Sequence, residues 1–243
     1  MKSALLDNYP VLYYLSGTEY NFRSQTAGDE LPHYYQSIGQ QLAEPPKVIY
    51  SGVQVHGSEI VEASLDGMIG DDAPWGRVCP GVDGFMTNQR QVGLLVKFAD
   101  CTPIVLYDPC HHAIGIVHSG WRGTVQQISV ALIKRMNERY QTEVSDLIAY
   151  IGPSIDQEHY QVGQEVYDAF RSMPLRDQFF KPDEPGHYLM SMTEANATIL
   201  ESAGIDRDRM EINSLSTYTT AHLHSSRRDS PNYGLNALLV ALQ

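Results

Sequence analysis

Short apolar runs punctuated by Gly, Pro and Asp dominate the middle of this 243-residue chain. Val48-Tyr50, Gly93-Phe98, Ile104-Tyr107, Ala113-Val117 and Leu147-Ile151 have the length and boundaries of buried β-strands. Between them the period changes. Val125, Ile128, Leu132 and Met136 recur at helical spacing, which predicts a helix over Val125 to Tyr140. Thr124-x-x-Gln127 has capping-box form, so the helix is expected to start just after a Gly120-Trp121-Arg122-Gly123 turn. Two more helices are expected, at Gln164 to Met173 and at Thr193 to Ala203, the second closed by Gly204 as a left-handed cap. Arg77 to Phe85 and Phe180 to His187 are rich in Pro, Gly and Asp and read as loop, and Gly17 to Leu31 reads as irregular. No fixed repeat, low-complexity tract or long linker divides the chain, so a single domain over 1–243 is expected, with a mixed sheet and helices outside it.

The runs Ile104-Tyr107 and Ala113-Val117 flank Asp108-Pro109-Cys110-His111, a turn-forming sequence of hairpin length. Pairing Tyr107 with His112 sets Ile104 against Gly115 and Cys101 against His118, on one face of the hairpin. Directly opposed Cβ atoms are about 4.5–5.5 Å apart, so one thiolate and one imidazole could share a metal. Pro103 works against this register because it cannot donate to the ladder. A third ligand is available at His56, where Gln54-Val55-His56-Gly57 leaves a strand-like stretch, although spacing alone does not bring it near the other two. One thiolate with two neutral imidazoles suits Zn²⁺, and three protein ligands leave a fourth position for water or substrate. The plainer alternatives are a cysteine buried as a small hydrophobe and two ordinary hydrogen-bonded histidines.

Composition narrows the function classes. Seventeen basic against twenty-nine acidic residues give a net charge of −12, which repels a nucleic-acid backbone and anionic lipid alike. No run of eighteen apolar residues occurs, and Met1 to Tyr20 lacks the order of a signal peptide, so neither a nucleic-acid nor a membrane partner is expected and the location is expected to be cytoplasmic. Cys79, Cys101 and Cys110 are too few and too irregular for a disulfide framework, which leaves metal binding or catalysis as their alternative use.

Four motifs follow one another in order: Gln54-Val55-His56-Gly57, Ala99-Asp100-Cys101-Thr102-Pro103, His118-Ser119-Gly120-Trp121-Arg122-Gly123 and Ile151-Gly152-Pro153-Ser154-Ile155. Asp83-Gly84-Phe85-Met86-Thr87-Asn88, Tyr160-Gln161-Val162-Gly163 and Ser225-Ser226-Arg227-Arg228-Asp229 extend the pattern over roughly residues 48 to 230. In these the chain resembles the laccase-domain family of bacterial purine nucleoside phosphorylases. The resemblance implies an α+β fold with a mixed β-sheet sandwich, and zinc held by His56, Cys101 and His118. It implies phosphorolysis of adenosine, inosine, guanosine and methylthioadenosine, with adenosine deamination beside it.

Other motif residues carry a functional and a plain reading side by side. Arg122, just before the helix start expected at Thr124, could hold phosphate, with Arg227 and Arg228 as a second source of positive charge; the alternatives are a surface arginine and an arginine pair bridged to Asp229. Asp100 could orient a metal ligand or accept a proton, or cap a backbone N–H. Trp121 could stack on a purine or pack beneath a turn, and Asn88 and Tyr160 are undecided.

The match departs from the family at both ends. Leu15 to Arg23 lacks a glycine pair usual in that segment, Ser216-Thr217 stands for Cys-Thr, Ser226 stands for an aromatic, and Gly234-Leu235 stands for Gly-Arg. The rival functions are a Cys-His hydrolase or peptidoglycan-precursor editing enzyme using Cys101 and His118 directly, a copper polyphenol oxidase, and a noncatalytic zinc-binding protein. Nine histidines and a single His-x-His, His222-Leu223-His224, are too few for a multicopper centre, so copper ranks below zinc.

Overall fold

Alternation along the central strands sends successive side chains into different cores. In strand Val92–Phe98, Leu94, Val96 and Phe98 point into one apolar cluster while Leu95 points into another. A computed structural model describes residues 3–173 and 175–243, and two six-stranded sheets and one three-stranded sheet organise it.

The first sheet runs in the order Val11–Leu15, Asn236–Leu242, Val92–Phe98, Val48–Val53, Gly76–Pro80, Asp71–Ala73. The second runs Met210–Ile212, Ile148–Ile151, Thr102–Asp108, Ala113–Ser119, Gly84–Thr87, Ile60–Glu62. Both are mixed: Val48–Val53 pairs in parallel with Val92–Phe98 and Gly76–Pro80, whereas Thr102–Asp108 and Ala113–Ser119 form an antiparallel hairpin. Their inner faces share the cluster that contains Tyr50, Leu94, Phe98, Val105, Tyr107 and Ile116. The outer face of the second sheet packs on helices Ile128–Tyr140 and Met192–Ser202, and that of the first on helix Leu31–Gly39. The result is the expected α+β fold, a sheet sandwich flanked by helices. Gly115 shows how closely these layers meet, since a Cβ there would lie 2.6 Å from Leu132 Cδ1.

The hairpin forms, but two residues out of the expected register: Ile104 pairs with Val117 and Pro103 with His118. Asp108 is the cause. Its Oδ1 accepts the N–H groups of Cys110 at 2.8 Å and His111 at 3.1 Å, so the turn begins after Asp108, which itself pairs with Ala113. A two-residue shift keeps every side chain on its face, and Cys101 and His118 therefore become diagonal neighbours on one face instead of direct opposites.

The expected helix over Val125 to Tyr140 divides into Trp121–Val125 and Ile128–Tyr140, with Gln127 left-handed at φ 56° between them. No capping box forms. Gly120 takes the N-cap position, and Thr124 Oγ1 instead donates to the Gly120 carbonyl at 3.0 Å. The second expected helix is Gln164–Ala169, ending four residues early. The third, Met192–Ser202, closes as expected, with Gly204 at φ 109° and the Ile205 N–H donating to the Leu200 carbonyl at 3.1 Å. Arg77 to Phe85 is not loop, because Gly76–Pro80 and part of Gly84–Thr87 are ladder-paired strands within it. Phe180–Pro182 and His187–Met190 likewise pair at the ends of the other expected loop. Gly17 to Leu31 contains the short helix Ser24–Ala27.

Candidate active site

Asp83 is fully buried just before strand Gly84–Thr87, and its carboxylate assembles the site. Oδ2 accepts the N–H groups of Val55 and Gly57, both at 3.0 Å, and Oδ1 accepts that of His56 at 3.1 Å. The corner after strand Val48–Val53 is thereby wound around one carboxylate, with His56 at φ 60°. Asp83 Oδ1 also lies 2.8 Å from His118 Nδ1. Burial alone would raise the Asp83 carboxyl, but the hydrogen bonds from His118 and the backbone N–H groups outweigh it and hold the carboxyl below its usual range.

With Nδ1 engaged, His118 offers Nε2 to the cluster. His56, Cys101 and His118 each contribute one ligand atom, and these atoms lie within 4.8 Å of one another. The two imidazole rings meet edge-on with centroids 4.9 Å apart. Tetrahedral bonds of about 2.0–2.3 Å to one ion set its ligand atoms roughly 3.3–3.8 Å apart, so the three donors need draw in by no more than about 1.5 Å to share an ion. Burial favours the neutral Cys101 thiol, yet the His118 charge and hydrogen bonds from both imidazoles bring it down to about 6. The thiolate is the metal-binding form. Gly120 completes the geometry: a Cβ there would sit 2.8 Å from His56 Cδ2 and 2.9 Å from Cys101 Sγ. The donor set therefore fits a single metal ion with a position left for a further ligand.

The three residues open onto a cleft of about 870 Å³. At their end of it stand Trp121, Arg122, Tyr160 and Arg227. Arg122 is exposed, with its Cζ 4.2 Å from the Trp121 ring centroid. It does not precede a helix start at Thr124. It lies in the first turn of Trp121–Val125, where the Thr124 N–H donates to the Gly120 carbonyl at 2.8 Å and so is not open to an anion beside the guanidinium. Arg227 carries its Cζ 5.4 Å from the Tyr160 ring centroid, and burial pushes the Tyr160 phenol up. Trp121 lines the cleft and packs against an apolar cluster.

Two of the expected site residues have other work. Arg228 does not line the cleft; its guanidinium donates to Asp229 and to the carbonyls of Thr217, Tyr218, Thr220 and Leu223. Asp100 does line it, but Oδ1 accepts from Thr217 Oγ1 and Oδ2 from the Arg227 N–H, both at 2.7 Å. Asp100 is thus a backbone cap that docks helix Ser226–Asp229 beside Cys101. Asn88 is exposed and outside the cleft. Phe22 and Arg23, from the divergent N-terminal segment, do line it, with Ser24 and Gln25 just after it. So do Ser226 and Leu235, whereas Ser216 is tied to Asp156 elsewhere.

Asp83 opens one of the sequence motifs, yet an acid in a Pro/Gly/Asp-rich stretch reads as a turn residue and points to no role. The available signal was its place immediately before the buried run Gly84-Phe85-Met86. Lys97, which sits inside the apolar run Gly93-Phe98, lines the cleft too.

A family model described as multi-copper polyphenol oxidoreductase laccase matches residues 19–243. Purine nucleoside phosphorylase YlmD of Bacillus subtilis is 36% identical over 154 residues, which is 63% of this chain and 55% of that protein. Purine nucleoside phosphorylase YlmD of Geobacillus stearothermophilus is 31% identical over 200 residues, covering 81% of this chain and 73% of that one. The match to the first of these thus spans little more than half of its length. Among solved structures, YlmD from Geobacillus stearothermophilus superposes with a TM-score of 0.85 at 25% identity, covering 96% of this chain and 92% of the other. The Bacillus licheniformis protein YfiH gives 0.83 at 26% identity, covering 92% and 85%.

Proposed function

The chain belongs to the multi-copper polyphenol oxidoreductase laccase family, and from that premise we propose that it is a zinc-dependent purine nucleoside phosphorylase. The observation that carries the reading is the His56–Cys101–His118 cluster at the end of a cleft that also presents Arg122 and Arg227. The printed names of the Bacillus and Geobacillus relatives support the choice of reaction.

His56, Cys101 and His118 would hold the ion. Bound there, zinc supplies Lewis-acid polarisation of a ligand oxygen. One thiolate and two imidazoles with an open fourth position suit catalytic zinc. One three-donor cluster occurs among the described residues, against the several copper centres of a multicopper oxidase.

Arg122 and Arg227 bind phosphate through charge-assisted hydrogen bonds, and the ribose lies between them and the metal ligands. Adenosine deamination belongs to the same proposal and requires a second orientation of the nucleoside, with the purine C6 rather than the ribose at the metal end. The Cys-His hydrolase is the second reading, favoured by the low Cys101 thiol. It leaves His56 without a part, whereas the metal uses all three donors.

The test is a panel of adenosine, inosine, guanosine and methylthioadenosine, with and without phosphate, assayed for free base and for ammonia on wild type and Cys101→Ala. Phosphate-dependent base release that is lost in the variant is expected. Metal-free protein that retains activity in chelator and loses it to iodoacetamide would establish the hydrolase instead.

A further inference from the structure

The far end of the cleft is apolar and aromatic. Phe22, Leu31, Tyr35, Trp75 and Leu235 line it and belong to one hydrophobic cluster on the outer face of the first sheet. Tyr35 and Trp75 stack with centroids 4.1 Å apart and planes 3° from parallel. Lys97 lines the same cleft, on a strand whose other members are all buried and apolar or glycine.

A lysine in such a strand calls for a reason. Its Nζ donates to the Gly52 carbonyl at 2.8 Å. Among the described residues no carboxylate forms an ion pair with it, so two of its three N–H donors have no protein acceptor. Trp75 Nε1 is a buried donor without a partner in the same region. Lys97 therefore brings two spare donors to the cleft that this apolar arm extends, which suits a flat ligand carrying acceptors. The backbone of Lys97 is fixed as well: Gln54 Nε2 donates to its carbonyl at 2.7 Å and its N–H donates to Gln54 Oε1 at 2.8 Å, tying it to the corner that carries His56.

We propose that the aromatic arm holds the purine base and that Lys97 is the catalytic acid that protonates N7 of the leaving base. The proposal rests on the phosphorylase reading above. With phosphate at the arginines and ribose at the metal ligands, the base is directed into this arm. As the phosphate oxygen bonds to C1′, the C1′–N9 bond breaks and its electron pair enters the purine ring. The Lys97 ammonium gives a proton to N7, the base leaves neutral, and the amine is reprotonated by the proton that hydrogen phosphate loses. Burial, partly offset by the Asp83 charge, brings the Lys97 ammonium down to about 8, which suits an acid working near neutrality.

The experiment compares inosine with 7-methylguanosine, whose base already carries its positive charge at N7 and needs no acid to leave. Zinc-loaded wild type and Lys97→Met are assayed for phosphate-dependent base release from each. The expected result is a loss of about 10²-fold or more in kcat on inosine for Lys97→Met, with 7-methylguanosine turnover within a few-fold of wild type. Retained turnover of the methylated substrate also shows that the variant is folded. Lys97→Arg, which keeps the charge but holds its proton too tightly, is expected to remain slow on inosine. Equal loss on both substrates, or no loss on either, overturns the assignment of the acid while leaving the phosphorylase reading intact. Absence of base release from both substrates by wild type overturns that reading, and the acid with it.

Discussion

Asp83 Oδ1 lies 2.8 Å from His118 Nδ1, and the same carboxylate accepts the backbone N–H groups of Val55, His56 and Gly57. One buried group thus sets the tautomer of one metal-ligand candidate and the backbone of another. Asp83→Ala is expected to lower zinc affinity by about 10–100-fold, measured by competition with a chromophoric chelator. Asp83→Asn, which keeps one acceptor oxygen, should fall between that variant and wild type.

Gly120 leaves room for the cluster. Because a Cβ would meet His56 Cδ2 at 2.8 Å and Cys101 Sγ at 2.9 Å, Gly120→Ala should displace the ligands without opening the core. Expected are a loss of bound zinc and a thermal midpoint of the metal-stripped protein within a few degrees of stripped wild type, by calorimetry.

The arginines should separate by function. Arg122 has an exposed guanidinium stacked on Trp121, so Arg122→Met is expected to raise the phosphate KM by about tenfold or more, the effect of a lost charged hydrogen bond, with little change in stability. Arg228 gathers four carbonyls and Asp229, and Arg228→Met should cost about 2–4 kcal/mol of stability, read from urea unfolding.

Stability should also fall in acid through Asp108. Burial would raise its carboxyl, but the hydrogen bonds it makes with the His111 side chain and with the N–H groups of His111 and Cys110 hold it below the usual value. A depressed folded-state pKa means that the unfolded chain binds the proton more readily. The contribution is therefore present above the unfolded value of about 3.9 and is lost as pH falls through the folded one. Urea midpoints between pH 5.5 and 3 should drop less steeply for Asp108→Asn than for wild type.

Much of this architecture is legible in the sequence, and its limits have physical causes. The apolar runs marked the inner strands, and the face shared by Cys101 and His118 survived a two-residue register error because side-chain period in a strand is two. The register itself depended on which side of Asp108 the turn would form, a choice made by side-chain hydrogen bonds that pattern does not show. Thr124 misled for a related reason: its hydroxyl turned back to Gly120, so the Trp121-Arg122-Gly123 segment is helix. The roles of Asp83 and Lys97 are not legible in the sequence because they lie in partners far along the chain. His118 is thirty-five residues from Asp83, and Gly52 is forty-five from Lys97. The strand Asn236–Leu242, absent from the runs read as strands, lies inside the first sheet between Val11–Leu15 and Val92–Phe98.

If His56, Cys101 and His118 act through one metal in nucleoside phosphorolysis, ribose 1-phosphate formation from inosine and phosphate should depend on that metal. The rate is measured on wild type as purified, then stripped by chelator, then reloaded with zinc. It is expected to follow bound zinc, reaching its maximum near one ion per chain and returning on reloading. An unchanged rate in the stripped protein, or no ribose 1-phosphate from the zinc-loaded protein, would rule out a metal-dependent phosphorylase.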